Sequence, residues 1–345
     1  MGLAITVLIP VYQPDSRLVD LVSAYAQAGL SVLVVDDGST DACEYFEEAA
    51  RVPGVEVIRT NKIYGKGEST KRGIEHLVKH ASAGTEPAII TASMFRQHSV
   101  EDVLAVKACL EANPHSLVLG VRDVDHMKGS HGMGNRITRT VTKALYGVAV
   151  SDAQTSLRGF SLWAADKLLA MRGKRYDYDM SILLGSGEVF ESVEEVPVQV
   201  SSDKEHYSRP FRPVRDSARI YAILLRHFPK FIMSSFSSYL VDYLLFSLLY
   251  AVVGLWAVWA TVLARVFSAS MNYAINRYFV FGGQGKRYTP LRFFTLAACI
   301  LAASSLSMAV LSDVLGLPGM VVKPVVDLLL YFVNFTVQTN FAKKE

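Results

Sequence analysis

Two predicted strands end in distinctive residues, and the acidic pair at the end of the second could bind a nucleoside. The first apolar run closes with Pro10 and Tyr12, and the second closes with the acidic pair Asp36 and Asp37 before a Gly-Ser turn. A carboxylate at such a position can accept hydrogen bonds from a uracil or guanine ring or from a ribose hydroxyl. The alternative is an acidic turn that only caps the next helix.

A glycine-flanked lysine, Lys66, opens a later helical stretch, and Lys71 and Arg72 follow one turn further on. A lysine between glycines at the start of a helix can approach a phosphate. The spacing is not that of a Walker loop, so an ordinary turn remains the competing interpretation.

The elements that would position these residues alternate between two kinds. Short β-branched runs alternate with amphipathic stretches, which predicts an α/β fold with a mainly parallel sheet covered by helices on both faces. The ligand site of such a sheet lies at the carboxyl ends of its strands. The predicted strands are 4–9, 31–35, 55–59, 87–91 and 117–120, and the predicted helices are 16–27, 67–80 and 100–112.

The composition changes after this part of the chain. Nine of the 111 residues between Phe231 and Phe341 are charged, against 58 of the other 234. Four apolar stretches of 22 or 23 residues, each long enough to cross ~30 Å of hydrocarbon, predict a membrane domain. These stretches are 231–253, 255–276, 293–315 and 320–341.

Basic residues flank the apolar stretches on one side only. They precede the first stretch, surround the second connection and follow the last stretch, which predicts that both termini are cytoplasmic. Arg212, Arg215, Arg219, Arg226 and Lys230 recur at helical spacing over 209–230. We expect an interface helix with its arginines toward lipid phosphates, or else a solvated basic face.

Net charge and cysteine content exclude several classes of protein. The net charge is only +3, which argues against a nucleic-acid partner. The three cysteines are far apart and lie near no histidine at ligand spacing. This pattern supports neither a disulfide framework nor a zinc site.

Nine strings in consistent order over residues 4–221 resemble family-two glycosyltransferases that make polyprenyl-phosphate sugars, similar to dolichol-phosphate mannose synthase. Those strings are IPVY, VVDDGSTD, GKG, QHSVEDV, LGVRD, GNRITR, SDAQTSLRGF, RYDYDM and FRPVRDS. The later part resembles a GtrA-like four-helix membrane domain, through Ala264-Arg265, Asn272-Tyr273, Asn276-Arg277, Val280-Phe281, Lys323, Asp327 and Gln338. The resemblance implies a GT-A (Rossmann-like) domain at 1–208, a basic interface helix at 209–230 and a GtrA-like transmembrane domain at 231–345.

The resemblance also assigns roles to residues of this chain. It implies nucleotide-sugar binding by Pro10, Tyr12, Val35, Asp37, Ser93, Met94, Phe95 and Gln97. It implies phosphate or lipid-phosphate binding by Arg122, Arg136, Arg158 and Arg212, and catalytic roles for Arg122, Asp152, Asp177 and Asp179. An arginine suits both phosphates because its planar guanidinium binds oxygens in pairs. For Arg122, an ion pair with Asp123 or Asp125 is the competing interpretation.

One string departs from the family pattern. Relatives carry an Asp-x-Asp motif that holds Mg²⁺ or Mn²⁺, and here Ser93-Met94-Phe95 stands at that place. Serine is a poor ligand for these cations and phenylalanine is none, so Gln97 is the only remnant of the metal site. We therefore expect a site that is metal-independent, slow or inactive.

The resemblance implies transfer of a hexose from a UDP- or GDP-sugar to a polyprenyl (undecaprenyl or dolichyl) phosphate. The reaction would be inverting and would occur at the cytoplasmic face of a lipid bilayer. The alternatives are a catalytically degenerate scaffold that binds a nucleotide sugar or lipid, and GtrA-type translocation of a lipid-linked sugar. Asp242, Arg265 and Asp327 lie within the apolar stretches. They would line a polar route for the lipid-linked group or lock the helices together as ion pairs.

Overall fold

The computed structural model describes residues 3–41, 43–82, 84–94, 98–123, 130–199, 213–226, 228–255, 257–281, 288–308, 310–311, 315 and 319–342. The chain divides into two compact units. The first comprises Met1–Lys143 and Val148–Ile223, and the second comprises Ala144–Gly147 and Leu224–Glu345. The three-segment division predicted from the sequence stays a prediction.

The first unit contains a seven-stranded sheet. The strands are β1 Leu3–Val11, β2 Ser31–Asp36, β3 Val55–Arg59, β4 Glu86–Thr91, β5 Leu117–Val121, β6 Arg158–Ser161 and β7 Val193–Pro197. Their order in the sheet is β3-β2-β1-β4-β6-β5-β7. Only β6 runs antiparallel to its neighbours, β4 and β5, so the predicted mainly parallel α/β fold is confirmed.

Helices cover this sheet, and their apolar faces explain their position. The first helix buries Leu18, Val22 and Tyr25, which recur at intervals of four and three residues and so share one face. Helices α1 Arg17–Gln27, α2 Glu44–Ala50, α3 Lys66–Lys79 and α4 Val100–Ala112 pack on the strands. The other helices up to residue 224 are α5 Ser130–Tyr146, α6 Ala165–Ala170, α7 Tyr176–Leu184, α8 Ser186–Val189 and α9 Pro213–Leu224.

The position of β6 brings distant residues to one edge of the sheet. Thr91, the last residue of β4, pairs with Arg158, the first residue of β6. Leu119 near the end of β5 also pairs with Arg158. The segment that precedes β6 therefore lies at the same edge as the carboxyl ends of β1, β2, β4 and β5.

The described part of the second unit is helical. It contains α10 Phe228–Ser247, α11 Ala257–Ala274, α12 Pro290–Met308 and α13 Gly319–Phe341. A π-helical segment extends α10 over Leu248–Val252, and another extends α11 over Ile275–Val280. Within the described residues, the stretch Phe228–Val252 alone is long and apolar enough to cross a membrane by itself.

The basic segment predicted at 209–230 is divided in the structure. Helix α9 ends at Leu224 and α10 begins at Phe228. Pro229 lies in the first turn of α10, where proline favours the start of a new helix and opposes continuation of an earlier one. Arg226 therefore lies between the two helices, and Lys230 belongs to the second helix.

Candidate functional site

The loops that follow β1 and β2 are joined by hydrogen bonds. The N–H of Asp37 donates to the carbonyl oxygen of Val11 at 2.8 Å. The N–H of Gln13 donates to Ser39 Oγ at 2.9 Å. Gln13 has a φ of 51°, which is unusual for a residue other than glycine. These contacts hold the two predicted nucleoside loops side by side.

Both carboxylates of the acidic pair are engaged with the protein. Asp36 accepts hydrogen bonds from the N–H of Ser39 at 2.8 Å and from Arg59 Nε at 3.1 Å. Asp37 accepts bonds from the backbone N–H groups of Tyr64 and Gly65 and from the hydroxyl of Ser69, all at 2.8–2.9 Å. Asp37 thus caps the beginning of α3, a later helix than the one that directly follows its own strand.

Gly38 closes the turn between these loops. Its φ is +74°, and a Cβ on it would lie 2.3 Å from the carbonyl carbon of Lys62. Only glycine fits this close approach of two backbone segments.

The other residues assigned to nucleotide-sugar binding differ in accessibility. Pro10, Tyr12 and Ser93 are half-buried. Val35 is fully buried, and Met94 is 1% exposed and belongs to the hydrophobic core. The side chains of Val35 and Met94 fill the interior behind the edge of the sheet. Phe95, Arg96 and Gln97 lie outside the described residues.

A buried ion pair lies where β5 and the segment before β6 meet. Arg122 contacts both carboxylate oxygens of Asp152, with Nε–Oδ2 at 2.5 Å and Nη2–Oδ1 at 3.0 Å. Asn135 of α5 donates to the same carboxylate at 2.6 Å, and the N–H of Gln154 donates at 3.0 Å. The partner observed for Arg122 is thus Asp152, while Asp125 lies outside the described residues. The pairing fixes the plane of the guanidinium and leaves Nη1 without a partner among the described residues.

The groups around Asp152 determine the pKa of its carboxyl group. Burial by itself would raise the pKa of this carboxyl, but the hydrogen bonds and charge of Arg122, with the Asn135 amide, hold the pKa below its ordinary value of 3.8. A lowered folded-state pKa contributes stability that is present above the unfolded-state value. This contribution is lost as the pH falls below about 4, through the folded-state pKa.

Arg158 is buried, and its donors are used by backbone oxygens. Nη1 donates to the carbonyl of Asp179 at 2.5 Å, Nη2 to that of Ala153 at 3.1 Å, and Nε to that of Thr155 at 3.0 Å. The residue is 2% exposed. Arg158 therefore joins the segment before β6 to α7, and its assigned contact with a phosphate stays a prediction.

The two aspartates of α7 face different partners. Asp179 Oδ2 lies 2.5 Å from Lys66 Nζ at the beginning of α3, and both side chains are largely buried. Asp177 Oδ1 accepts a hydrogen bond from the N–H of Arg175 at 2.8 Å. The glycine-flanked lysine is thus committed to a carboxylate of its own unit.

Replacing Lys66 with methionine is expected to destabilise the first unit by about 1–3 kcal/mol, because the change leaves the Asp179 carboxylate without its charged partner. Urea denaturation of the full chain would measure this loss. Lys107→Met is the matched control, since Lys107 forms a more exposed pair with Glu111 of its own helix. Equal losses in the two variants would contradict the prediction.

The remaining predicted phosphate ligands are Arg136 and Arg212. Arg136 is exposed on α5, and Arg212 lies outside the described residues. Within the described part of the chain, no group of three or more His, Cys, Asp or Glu side chains could hold a metal ion.

A cationic cavity of about 390 Å³ was not anticipated from the sequence. Its lining includes Lys174, Arg175, Arg215 and Arg219 together with Asp177. Arg175 is held by Asp216 of α9, with Nε–Oδ1 at 2.9 Å. Only the arginines at helical spacing in α9 indicated part of this cavity in the sequence. The loop before α7, which supplies Lys174 and Arg175, shows no regular pattern.

The second unit can be assigned by comparison with known families. Residues 230–342 match the family model described as GtrA/DPMS, transmembrane domain. This unit carries a GtrA/DPMS transmembrane domain. The predicted resemblance of the later part is confirmed, and the GtrA/DPMS domain associates the chain with a membrane. The number and direction of its membrane spans stay predictions.

Similarities to the rest of the chain are weaker. An uncharacterized protein of Methanocaldococcus jannaschii is 26% identical over 212 residues, which are 59% of this chain and 84% of the relative. A glucosyl-3-phosphoglycerate synthase from Mycobacterium tuberculosis, solved with Mn²⁺, UDP-glucose and phosphoglyceric acid, is similar at a TM-score of 0.47 and 16% identity, covering 64% of this chain and 78% of that one. A 4-diphosphocytidyl-2C-methyl-D-erythritol synthase is similar at a TM-score of 0.40 and 14% identity, covering 65% and 99%. The strand order of the seven-stranded sheet establishes the α/β fold of the first unit.

Proposed function

We propose that the chain transfers a hexose from a UDP- or GDP-sugar to a polyprenyl phosphate, undecaprenyl or dolichyl, with inversion. One observation supports this proposal: the chain combines a GtrA/DPMS domain with an α/β unit. That unit carries basic and acidic side chains at one edge of its sheet. A lipid acceptor and a water-soluble donor need such a combination. The α/β unit, the termini and the transfer itself would be cytoplasmic.

In this reaction an oxygen of the lipid phosphate attacks the anomeric carbon of the sugar. The bond from that carbon to the nucleoside diphosphate breaks, and the diphosphate leaves from the opposite face with the electron pair. The acceptor is already an anion, so it needs little help from a base. Placement of charge around the phosphates is then the main task of the protein.

Arg122 suits this task because Asp152 and Asn135 already fix its orientation. A guanidinium held before the substrate arrives costs no reorganisation during the reaction. Arg136 and Arg212 would supply further positive charge. Asp177 and Asp179 would orient sugar hydroxyls rather than accept a proton.

The metal implied by the resemblance does not fit the residues present. Ser93 offers one hydroxyl, and the neighbouring Met94 is packed in the core. Mg²⁺ and Mn²⁺ require a set of hard oxygen ligands, usually with carboxylates. No step of the proposed reaction is assigned to a metal.

The first test is titration of the full chain in detergent with UDP- and GDP-hexoses, with and without Mn²⁺, followed by a transfer assay with polyprenyl phosphate. Metal-independent binding and formation of a lipid-linked sugar would support the proposal. Binding without transfer would support a scaffold that binds a nucleotide sugar. The absence of both would reject the proposal.

A scaffold role is favoured by two observations. The motif acids that usually hold the metal are replaced, and the Asp36 and Asp37 carboxylates are already occupied by protein donors. Translocation of a lipid-linked sugar is a separate activity, which would appear as a change of leaflet in vesicles.

Restoring two aspartates tests whether Ser93-Met94-Phe95 stands at the place of the Asp-x-Asp motif. The double variant Ser93→Asp with Phe95→Asp is expected to gain Mn²⁺ binding with a dissociation constant of about 0.1–1 mM, as in weak carboxylate sites. Turnover should rise with Mn²⁺ if the rest of the site is intact. Calorimetry would measure the binding, and Ser82→Asp with Thr85→Asp adds the same charge at exposed positions. Equal Mn²⁺ binding in both double variants would show that Ser93-Met94-Phe95 does not stand at the place of the metal-binding motif.

A further inference from the structure

Helix α10 and its π-helical extension carry five aromatic side chains along one face. These residues, the aromatic stripe, are Phe236, Tyr239, Tyr243, Phe246 and Tyr250. They recur at alternating intervals of three and four residues, an average of about 3.5, which is the repeat of helices that pair along a continuous seam. The ring centroids of Phe246 and Tyr250 lie 5.6 Å apart, so the stripe continues from α10 into its π-helical segment.

The aromatic stripe is not the face by which α10 packs in its own domain. The buried residues of α10 are Phe231, Ser234 and Ser238, and Ser238 Oγ accepts a hydrogen bond from the Asn272 amide of α11 at 3.0 Å. By contrast, Phe236, Tyr239 and Tyr243 of the stripe are 66%, 65% and 60% exposed. Helix α10 therefore has a second face, which the described residues of the chain leave largely uncovered.

Two hydroxyl groups of the aromatic stripe lie deep within the stretch Phe228–Val252, which is long and apolar enough to cross a membrane. At 1.5 Å per residue, this stretch is roughly 37 Å long, and Tyr239 and Tyr243 lie roughly 16 and 22 Å from its beginning. Neither hydroxyl forms a hydrogen bond within the described part of the chain. Tyrosine is common at the surface of a bilayer, but a hydroxyl without a partner is costly in hydrocarbon. These two hydroxyls therefore require a partner from another molecule.

The exposed face of α13 shows what a surface against lipid looks like. Val325, Leu328, Leu329 and Val333 are exposed there, and their side chains carry no polar atom. Lipid tails can cover such a face without leaving a hydrogen-bonding group unsatisfied. Exposure by itself thus does not indicate a partner, whereas seam spacing combined with hydroxyls at mid-depth does.

The chemistry of the aromatic stripe selects a second copy of the same chain as the partner. A tyrosine hydroxyl both donates and accepts a hydrogen bond, so a tyrosine can pair with an identical tyrosine. The stripe carries no charge, and the adjacent Asp242 is paired with Arg265 of its own chain at 3.3 Å. Two identical stripes therefore attract through their hydroxyls and rings without repulsion between like charges. Such self-complementarity is what a two-fold symmetric interface needs.

We propose that the aromatic stripe is the interface of a homodimer, in which α10 pairs with α10 of a second copy of this chain. Both copies insert in the same direction, so a two-fold axis along the membrane normal places each stripe residue opposite its counterpart. The hydroxyls of Tyr239 and Tyr243 then find their partners across the seam, and the rings pack between the two helices. The inference concerns the second unit alone and does not depend on the proposed transfer reaction.

The first test measures the oligomeric state of the full chain in lipid vesicles. Each chain carries one fluorophore, and single-molecule photobleaching over a series of lipid dilutions gives the dissociation constant of the dimer. The double variant Tyr239→Phe with Tyr243→Phe keeps both rings and removes only the hydroxyls. We expect its dissociation constant to rise about three- to tenfold, as for the loss of two modest hydrogen bonds between membrane helices. Tyr278→Phe is the matched control, because Tyr278 is an exposed tyrosine of the same domain outside the stripe, and its dissociation constant should equal that of the parent chain.

The second test locates the seam by cross-linking between copies. All three native cysteines, Cys43, Cys109 and Cys299, are first replaced with serine. Single cysteines are then introduced at two stripe positions, Phe236→Cys and Phe246→Cys, and at two exposed positions one residue beyond the stripe, Ser237→Cys and Leu244→Cys. Oxidation in vesicles should cross-link the stripe variants at least about fivefold faster, because only seam positions face each other in a parallel pair.

Three outcomes would overturn the proposal. A chain that stays monomeric at every lipid dilution would show that lipid covers the aromatic stripe. Equal cross-linking at all four positions would indicate random collisions or another interface. A double phenylalanine variant that dimerises as tightly as the parent chain would show that the two hydroxyls do not meet a second copy.

Discussion

Replacing Asp152 with alanine is expected to destabilise the first unit by about 3–5 kcal/mol, because the change leaves a buried guanidinium without its carboxylate. Arg122 is 9% exposed, so water cannot readily replace the lost partner. Asn135 loses its acceptor as well. Trp163 is the only tryptophan of the first unit. Its fluorescence in a Trp256→Phe, Trp259→Phe background would therefore follow urea unfolding of that unit.

The matched control is Ser151→Ala, the exposed neighbour of Asp152, which should change stability by no more than about 0.5 kcal/mol. The double variant Arg122→Met with Asp152→Leu should recover much of the loss, since apolar side chains can replace a buried ion pair. It should nevertheless abolish the proposed transfer, because the guanidinium proposed to contact the phosphates is gone. An Asp152→Ala variant as stable as the Ser151→Ala variant would show that the pair contributes little.

Replacing Gly38 with alanine is expected to be the second most damaging of these changes. The left-handed backbone costs a residue with a Cβ about 1–2 kcal/mol. The new methyl would also meet backbone atoms of Lys62 at 2.3–2.6 Å, which cannot rotate away. The loops after β2 and β3 must then separate, at a further cost of about 1–3 kcal/mol.

Comparison with Gly29→Ala separates the cost of the close backbone contact at Gly38 from the cost of the left-handed backbone. Gly29 has a φ of +75°, nearly the same as Gly38, but a Cβ there would have no atom within 4 Å. The same tryptophan fluorescence in urea should therefore show a clearly smaller loss in Gly29→Ala. The proposed binding of a nucleotide sugar should fall only in Gly38→Ala. Identical losses in the two variants would mean that the close approach at Gly38 is unimportant.

Local patterns were sufficient to predict the strands that form most of the sheet. Strands β1 to β5 begin and end within two residues of their predicted bounds, because each is a run of apolar or β-branched residues. The strand β6 was not predicted. It contains only Arg158–Ser161, and its buried arginine depends on carbonyl oxygens of residues 153, 155 and 179, which no local pattern reveals.

Local patterns were also insufficient to predict the contacts within the candidate site. Asp36 and Asp37 were located from the end of their strand, but their partners at Arg59 and Ser69 come from later elements. Arg122 was considered with the adjacent aspartates, whereas its partner lies 30 residues further along the chain. Such pairs follow from the order of strands in the sheet, which the sequence pattern does not specify.

The antiparallel placement of β6 affects the order in which the first unit can form during synthesis. The half that carries the predicted nucleoside loops uses β1 to β4, and all of its strands have been made once residue 91 is complete. The half that carries Arg122 must wait, because β5 meets β4 only through β6, which begins at residue 158. Domains generally fold as units, and the amino-terminal part of a chain is made first. A ribosome paused between these two points would therefore hold a chain that has all the strands of the predicted nucleoside loops but still lacks β6, which joins the part with Arg122, the arginine proposed to contact the phosphates, to that half of the sheet.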